Sequence, residues 1–178
     1  MRLEVATVVA LLGQTPRTLR AVLDDGLHPW GDFNYGPDTF SPFDVIGHLI
    51  EGEQTDWMPR LRIILEHGEA RPFEPFDRYA MYEHSDGKSL PRLLDDFERL
   101  RRPNVATLQA LQLTEQQLDR RGTHPALGPV TLRQLLATWV VHDLNHVAQI
   151  CKGLAFQYRE QVGPWQQYLS ILRPPSPA

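Results

Sequence analysis

Apolar residues fall at helical spacing in four long stretches of the chain. In the first, Leu3, Val5, Val8, Val9 and Leu12 are continued by Leu19, Val22 and Leu23. A helix is expected there, with a kink or interruption at Pro16 and an end at the Asp-Asp-Gly run at 24–26. Residues 27–40 mix turn formers with aromatics and read as a loop. The second helix has a clear start, with Ser41 as N-cap, Pro42 in the first helical position and Asp44 closing a capping box. It should run to about Glu66, stop near Gly68 and bend at Pro59. The stretch 67–88 is too long for a tight hairpin, which permits the second and third helices to run parallel. The third helix is expected over Ser89–Leu113 on a stripe of Leu93, Leu94, Phe97, Leu100, Val105, Leu108 and Leu111, bent at Pro103. A connector with one capped turn beginning at Thr114 leads to the fourth helix. That helix opens on the capping box Thr131/Gln134 and extends to about Ala155. A short terminal helix from Pro164 would place Trp165, Tyr168, Leu169 and Leu172 on one face. No alternation is strong enough for a sheet. The expected fold is all-α: a four-helix bundle with a short C-terminal helix, one domain over 1–172, and a disordered tail at 173–178.

Composition narrows the function chiefly by exclusion. A net charge of −4 supplies no broad positive field for nucleic acid. No apolar run reaches membrane-spanning length, because the stretch from Val5 to Gly13 is cut short by Gln14 and Pro16. Glu4 interrupts what would be the apolar part of a signal peptide and no small-residue cleavage site follows, so a cytoplasmic location is expected. The single cysteine, Cys151, rules out an internal disulfide.

The candidate chemistry lies on the fourth helix. His142 and His146 are four residues apart, so their Cβ atoms stack ~5–6 Å from each other, close enough to bind one metal ion. Leu135, Trp139, His142, His146 and Gln149 follow 4-3-4-3 spacing, which places the pair on the inward stripe. Two hydrogen-bonded core histidines would satisfy the same spacing, and periodicity leaves both readings open. A metal needs a third ligand. His28 and His84 fall in loops, His67 at a helix terminus and His124 before a proline in a connector, which makes His48 the best placed. The main apolar stripe of its helix (Phe43, Ile46, Ile50, Trp57, Leu61, Ile64) is nevertheless centred on nearly the opposite face. Periodicity alone therefore favours a surface histidine over one facing a cleft beside Gly52. Cys151, nine residues from His142, is turned about half a helical circle away and is assigned to packing.

Taken together, three blocks resemble the DinB-like family of the DinB/YfiT-like superfamily. They are GPVTLRQLLATWVVHDLNHVAQI, FSPFDVIGHLIEGEQTDWMPR and PFEPFDRYAMYEHSDGKSL, and the likeness spans roughly Thr15 to Leu172. The resemblance implies a bundle with up-down-down-up topology and a metal triad of His48, His142 and His146. It also implies a divalent metal, often nickel or zinc, and a homodimer. Where activity is known in the superfamily, the metal serves thiol chemistry, so a low-molecular-weight thiol is an implied cosubstrate.

On this basis the expected function is metal-dependent transfer or hydrolysis of a small molecule, with a noncatalytic metal- or ligand-binding protein of a stress response as the alternative. Three neutral imidazoles leave coordination positions open, as catalytic sites do. Gln149 is a candidate to orient a ligand or water, and Glu51 to act as base or outer-shell partner, although Glu51 and Glu53 also read as a solvated face. Trp30, Phe33 and Tyr35 either line the cleft mouth or pack the loop. A zincin-like reading, with Asp143 in the position of a glutamate, ranks low because aspartate is one methylene shorter. A di-iron site fails for want of a second acid-x-x-His unit.

Overall fold

The computed structural model describes residues 2–23, 31–36 and 39–173. The expected helix stop at 24–26, His28, Trp30 and residues 174–178 of the tail lie outside them. Helix α1 spans Val5–Val22. The second rod is continuous: α2 (Pro42–Glu51), one wide π-turn (Gly52–Asp56) and α3 (Trp57–Glu66). A short helix, α4 (Met81–Ser85), sits in the crossover, followed by α5 (Leu90–Ala110) and the single turn α6 (Glu115–Leu118). A two-stranded antiparallel hairpin, β1 (Arg121–His124) and β2 (Gly128–Thr131), leads into α7 (Leu132–Gln157).

Two core clusters give the topology. One joins Val8 and Leu12 of α1, Trp57, Leu61 and Ile64 of α3, Leu108 of α5, and Leu132, Leu136 and Trp139 of α7. The other joins Leu19, Val45, Ile46, Leu49, Leu93, Phe97 and Ile150. α1 and α7 thus run from the first cluster to the second, while the α2–α3 rod and α5 run the other way. That is up-down-down-up, with the second and third rods parallel. The two expected capping boxes, Ser41/Asp44 and Thr131/Gln134, form, and the expected capped turn at Thr114 is closed as a third box by Gln117.

Pro16 does not break α1. It removes the N–H that would have paired with the carbonyl of Leu12, and Nη1 of Arg101 donates to that carbonyl instead, at 3.0 Å. The same guanidinium meets Asp143 (Nη2–Oδ1 3.0 Å) and Glu53 (Nη2–Oε1 2.8 Å), and Thr15 donates to Asp143 at 2.6 Å. Trp139 and Asn104 donate to the Glu53 carboxylate, and Asn104 also takes the carbonyl that the π-turn leaves at Glu53. One buried polar cluster therefore ties all four rods together.

Several expectations are corrected by this architecture. Glu51 and Glu53 do not form a solvated face; both are buried. The bend assigned to Pro59 is the π-turn just upstream of it, which absorbs the break in the hydrogen-bond ladder. The connector contains a sheet after all. Its strands are four residues each and carry Gly and Pro, too short for alternation to register. The C-terminal segment forms two 3₁₀ stretches, Gly163–Tyr168 and Ser170–Leu172, rather than an α-helix, with Trp165 and Tyr168 exposed. α7 ends at its C-cap Tyr158, and Gly163 adopts φ 52° ahead of Pro164, where the chain restarts in short turns. No described helix is long and apolar enough to cross a membrane.

Candidate metal centre

α2 and α7 run antiparallel side by side, and each turns one face of histidine toward the other. Nε2 of His142 lies 3.1 Å from Nε2 of His48 and 3.1 Å from Nε2 of His146. A ring nitrogen offers either one lone pair or one hydrogen in the ring plane, so His142 Nε2 cannot make a full hydrogen bond to both neighbours at once. Gln149 Oε1, 2.8 Å from His146 Nδ1, accepts the ring hydrogen there and leaves the lone pair on Nε2 facing the cluster. Two metal–imidazole bonds of ~2.0–2.1 Å at angles between ~90° and ~110° would set their nitrogens ~2.9–3.4 Å apart, so the spacing fits a shared divalent ion. The three donor atoms all lie within 4.8 Å of one another, and no other such group of His, Cys, Asp or Glu occurs among the described residues.

The surroundings keep the imidazoles neutral. Burial, reinforced by the charge of its neighbour His146, lowers the His48 pKa from 6.5 to about 4. Burial together with His146, His48 and Arg101 lowers that of His142 to about 3. Burial also lowers that of His146, partly offset by Gln149 and Asp143. Aromatic rings hold two of the imidazoles: Phe76 stands edge-on to His48 at 5.4 Å, and Trp57 edge-on to His142 at 5.0 Å. Nδ1 of His48 and of His142 are buried without a hydrogen-bond partner among the described residues. Packing thus replaces the carboxylate or carbonyl partners that usually orient ligating histidines.

Metal release on acidification should reflect these shifts. Protons compete for the same lone pairs, and a depressed pKa means that competition starts only at lower pH. Metal content after equilibration should hold through pH 6.5 and be lost only at lower pH, as His146 and then His48 and His142, toward about 4 and 3, take up protons. Half-release near pH 6.5, the value of an ordinary histidine, would contradict the neutral triad. The sign for folding is the same. The unfolded chain protonates near 6.5 and the fold only near 4 and 3, so stability present above 6.5 is lost across that window. Asp56 works the other way, since burial, set against the pull of Arg60, pushes its carboxyl up to about 6.

Two members of the triad, His48 and His142, border a cavity of about 600 Å³ between the α2–α3 rod and α7. His48, Gly52, Asp56, Trp57 and Arg60 line one side, and Gln134, Leu135, Thr138 and His142 the other. The crossover (Phe73, Pro75, Phe76) and the hairpin (His124 to Leu127, Val130) close it. Of the expected site residues, His48, His142 and His146 come together and Gln149 orients His146. Glu51 does not join them. Its Oε2 faces Nε2 of His84 at 3.6 Å, on the side of α4. Phe33 is exposed and Tyr35 packs on Phe156 at 6.4 Å; neither lines the cavity. Asp143 points away from the triad into the Arg101 cluster, which removes the zincin-like reading. Sequence reasoning missed Asp56, Trp57, Arg60 and His124. The only trace of the first and third was the four-residue spacing His48, Gly52, Asp56, Arg60, which a regular helix would not keep on one face.

A family model for the DinB superfamily matches residues 6–150. Among solved structures, the chain is similar to YfiT from Bacillus subtilis, a probable metal-dependent hydrolase with an unusual four-helix bundle topology. The TM-score is 0.71 and the identity 22%, over 89% of this chain and 87% of that one. At that identity the likeness speaks for the fold. No curated protein matches the chain.

Proposed function

The chain belongs to the DinB superfamily, and we propose that it is a metal-dependent hydrolase, or a transferase of related chemistry, acting on a small molecule in the cavity beside its histidine triad. The meeting of three imidazole Nε2 atoms, two of them from histidines that line that cavity, carries the reading. His48, His142 and His146 would hold a divalent ion, nickel or zinc, and three protein ligands leave room for a substrate group. When bound, such an ion supplies Lewis acidity, polarising a carbonyl or phosphoryl group and easing loss of a proton from a nucleophile. The residues of the chain do the rest. Gln149 fixes the His146 tautomer, and Phe76 and Trp57 hold the other two rings. Trp57, Phe73, Leu127 and Leu135 offer apolar surface to the body of the substrate and exclude water from it. No cysteine lines the cavity, so a sulfur nucleophile would come from a low-molecular-weight thiol cosubstrate. The description of YfiT as a probable metal-dependent hydrolase favours water.

The test is turnover of a panel of esters and amides by zinc- or nickel-loaded protein, with and without cysteine or glutathione. Turnover should vanish with chelator and return with metal. Activity without thiol marks a hydrolase, and strict thiol dependence a transferase. Stoichiometric metal with no turnover on any member of the panel would overturn the catalytic reading in favour of a noncatalytic binding protein.

A further inference from the structure

About three helical turns from the triad, on the order of 15 Å along the rod, the cavity wall carries polar groups that the metal chemistry does not use. Taking the cavity as the substrate site, we infer that Arg60 and His124 form a recognition site for a carboxylate on the end of the substrate remote from the triad.

His48, Gly52, Asp56 and Arg60 all line the cavity, although each step of four residues would drift by ~40° in a regular α-helix and carry Arg60 a third of a circle away. The π-turn at Gly52–Asp56 takes up the extra residue and keeps the four on one side. Arg60 is 8% exposed. Its Nε lies 2.6 Å from Oδ1 of Asp56, its Nη2 donates to the carbonyl of Glu74 at 3.4 Å, and the guanidinium lies over the Phe73 ring at 5.3 Å. No described residue hydrogen-bonds Nη1. His124 stands edge-on to the same Phe73 ring at 6.2 Å. Its Nδ1 accepts the backbone N–H groups of Ala126 (3.1 Å) and Leu127 (3.2 Å), so the ring hydrogen sits on Nε2 and makes it a donor. Burial and the nearby charge of Arg60 lower the His124 pKa, in keeping with a neutral ring.

Two donors from separate elements thus flank one phenyl ring, each held in place by protein acceptors. Phe76, Leu127 and Val130 make the wall around them apolar. A buried ion pair is no better for stability than well-packed apolar side chains, so folding gives no reason for Arg60 and Asp56 to stand there. Asp56 is engaged in holding Arg60. What the site offers a ligand beyond Asp56 is a guanidinium edge and an imidazole N–H, a donor set that matches carboxylate oxygens.

The test is calorimetric titration of chelator-treated, metal-free protein with hydrocinnamate and with hydrocinnamamide, its uncharged isostere. The acid should bind at least roughly tenfold more tightly than the amide, as a charge-assisted hydrogen bond provides. Asp56→Leu/Arg60→Met removes both charges without stranding either, so the fold, followed by circular dichroism, should survive while the preference falls to about unity. His124→Phe should reduce the preference several-fold. Because the titration uses metal-free protein, the preference does not depend on the proposed metal centre, so the two readings fail separately. Equal affinity for acid and amide, no binding of the acid at millimolar concentration, a preference that survives Asp56→Leu/Arg60→Met, or tighter binding of phenylpropylamine would each overturn the inference.

Discussion

Replacing His142 with alanine should leave the purified protein without stoichiometric metal. His142 is the middle member of the triad, 3.1 Å from each of the other two donor nitrogens. Loss of an outer-shell partner costs a metal site roughly 10–100-fold in affinity, and loss of one of three direct ligands should cost more. Elemental analysis should fall from about one ion per chain to near zero. Metal that binds the folded wild type but not the unfolded chain raises its melting temperature, and that rise should disappear in the variant. His48→Ala should do the same from the opposite rod. Unchanged metal content in either variant would remove the triad, and with it the proposed activity.

Replacing Arg101 with alanine should cost the fold about 3–5 kcal/mol, the usual result of breaking a buried ion pair from one side. Arg101 is 1% exposed and holds Asp143, Glu53 and the carbonyl of Leu12. Without it two carboxylates remain in the core, and Pro16 ensures that the Leu12 carbonyl regains no helical partner. Against a typical total of about 5–15 kcal/mol, such a loss shows directly in the midpoint of urea unfolding. Asp143→Leu/Arg101→Met/Glu53→Met, which removes every charge, should recover most of it. A shift below about 1 kcal/mol in the alanine variant would mean that solvent reaches the cluster. The cluster bears on the metal centre as well, because Asp143 follows His142 and Glu53 lies one turn beyond His48. Fixing those residues fixes the two rods that carry the ligands.

The rods were legible because each carries its own signals. Stripes such as Leu93, Leu94 and Phe97, and the boxes Ser41/Asp44 and Thr131/Gln134, act within one or two turns and need no partner. Arg101 also left a trace, as a charge on the stripe of Leu94, Phe97 and Leu108, and Asp143 left another between Leu136 and Ile150. A charge on an inward stripe asks for a partner, but its partners lie 42 and 48 residues away in the chain. The π-turn was invisible for a different reason. It arises where Pro59 interrupts the ladder and the Glu53 side chain finds the core, and no local propensity marks the extra residue.

The sequence by itself determined four helices, where three of them begin, a crossover long enough to set two of them parallel, and a histidine pair on an inward face. These follow from interactions between residues a few positions apart. That His48 meets the pair, that Glu51 does not, and that Arg60 and His124 share one cavity wall depended on how the rods lie against each other. Those contacts are chosen by packing and by the burial of charge across the whole bundle, and no short stretch of chain contains them.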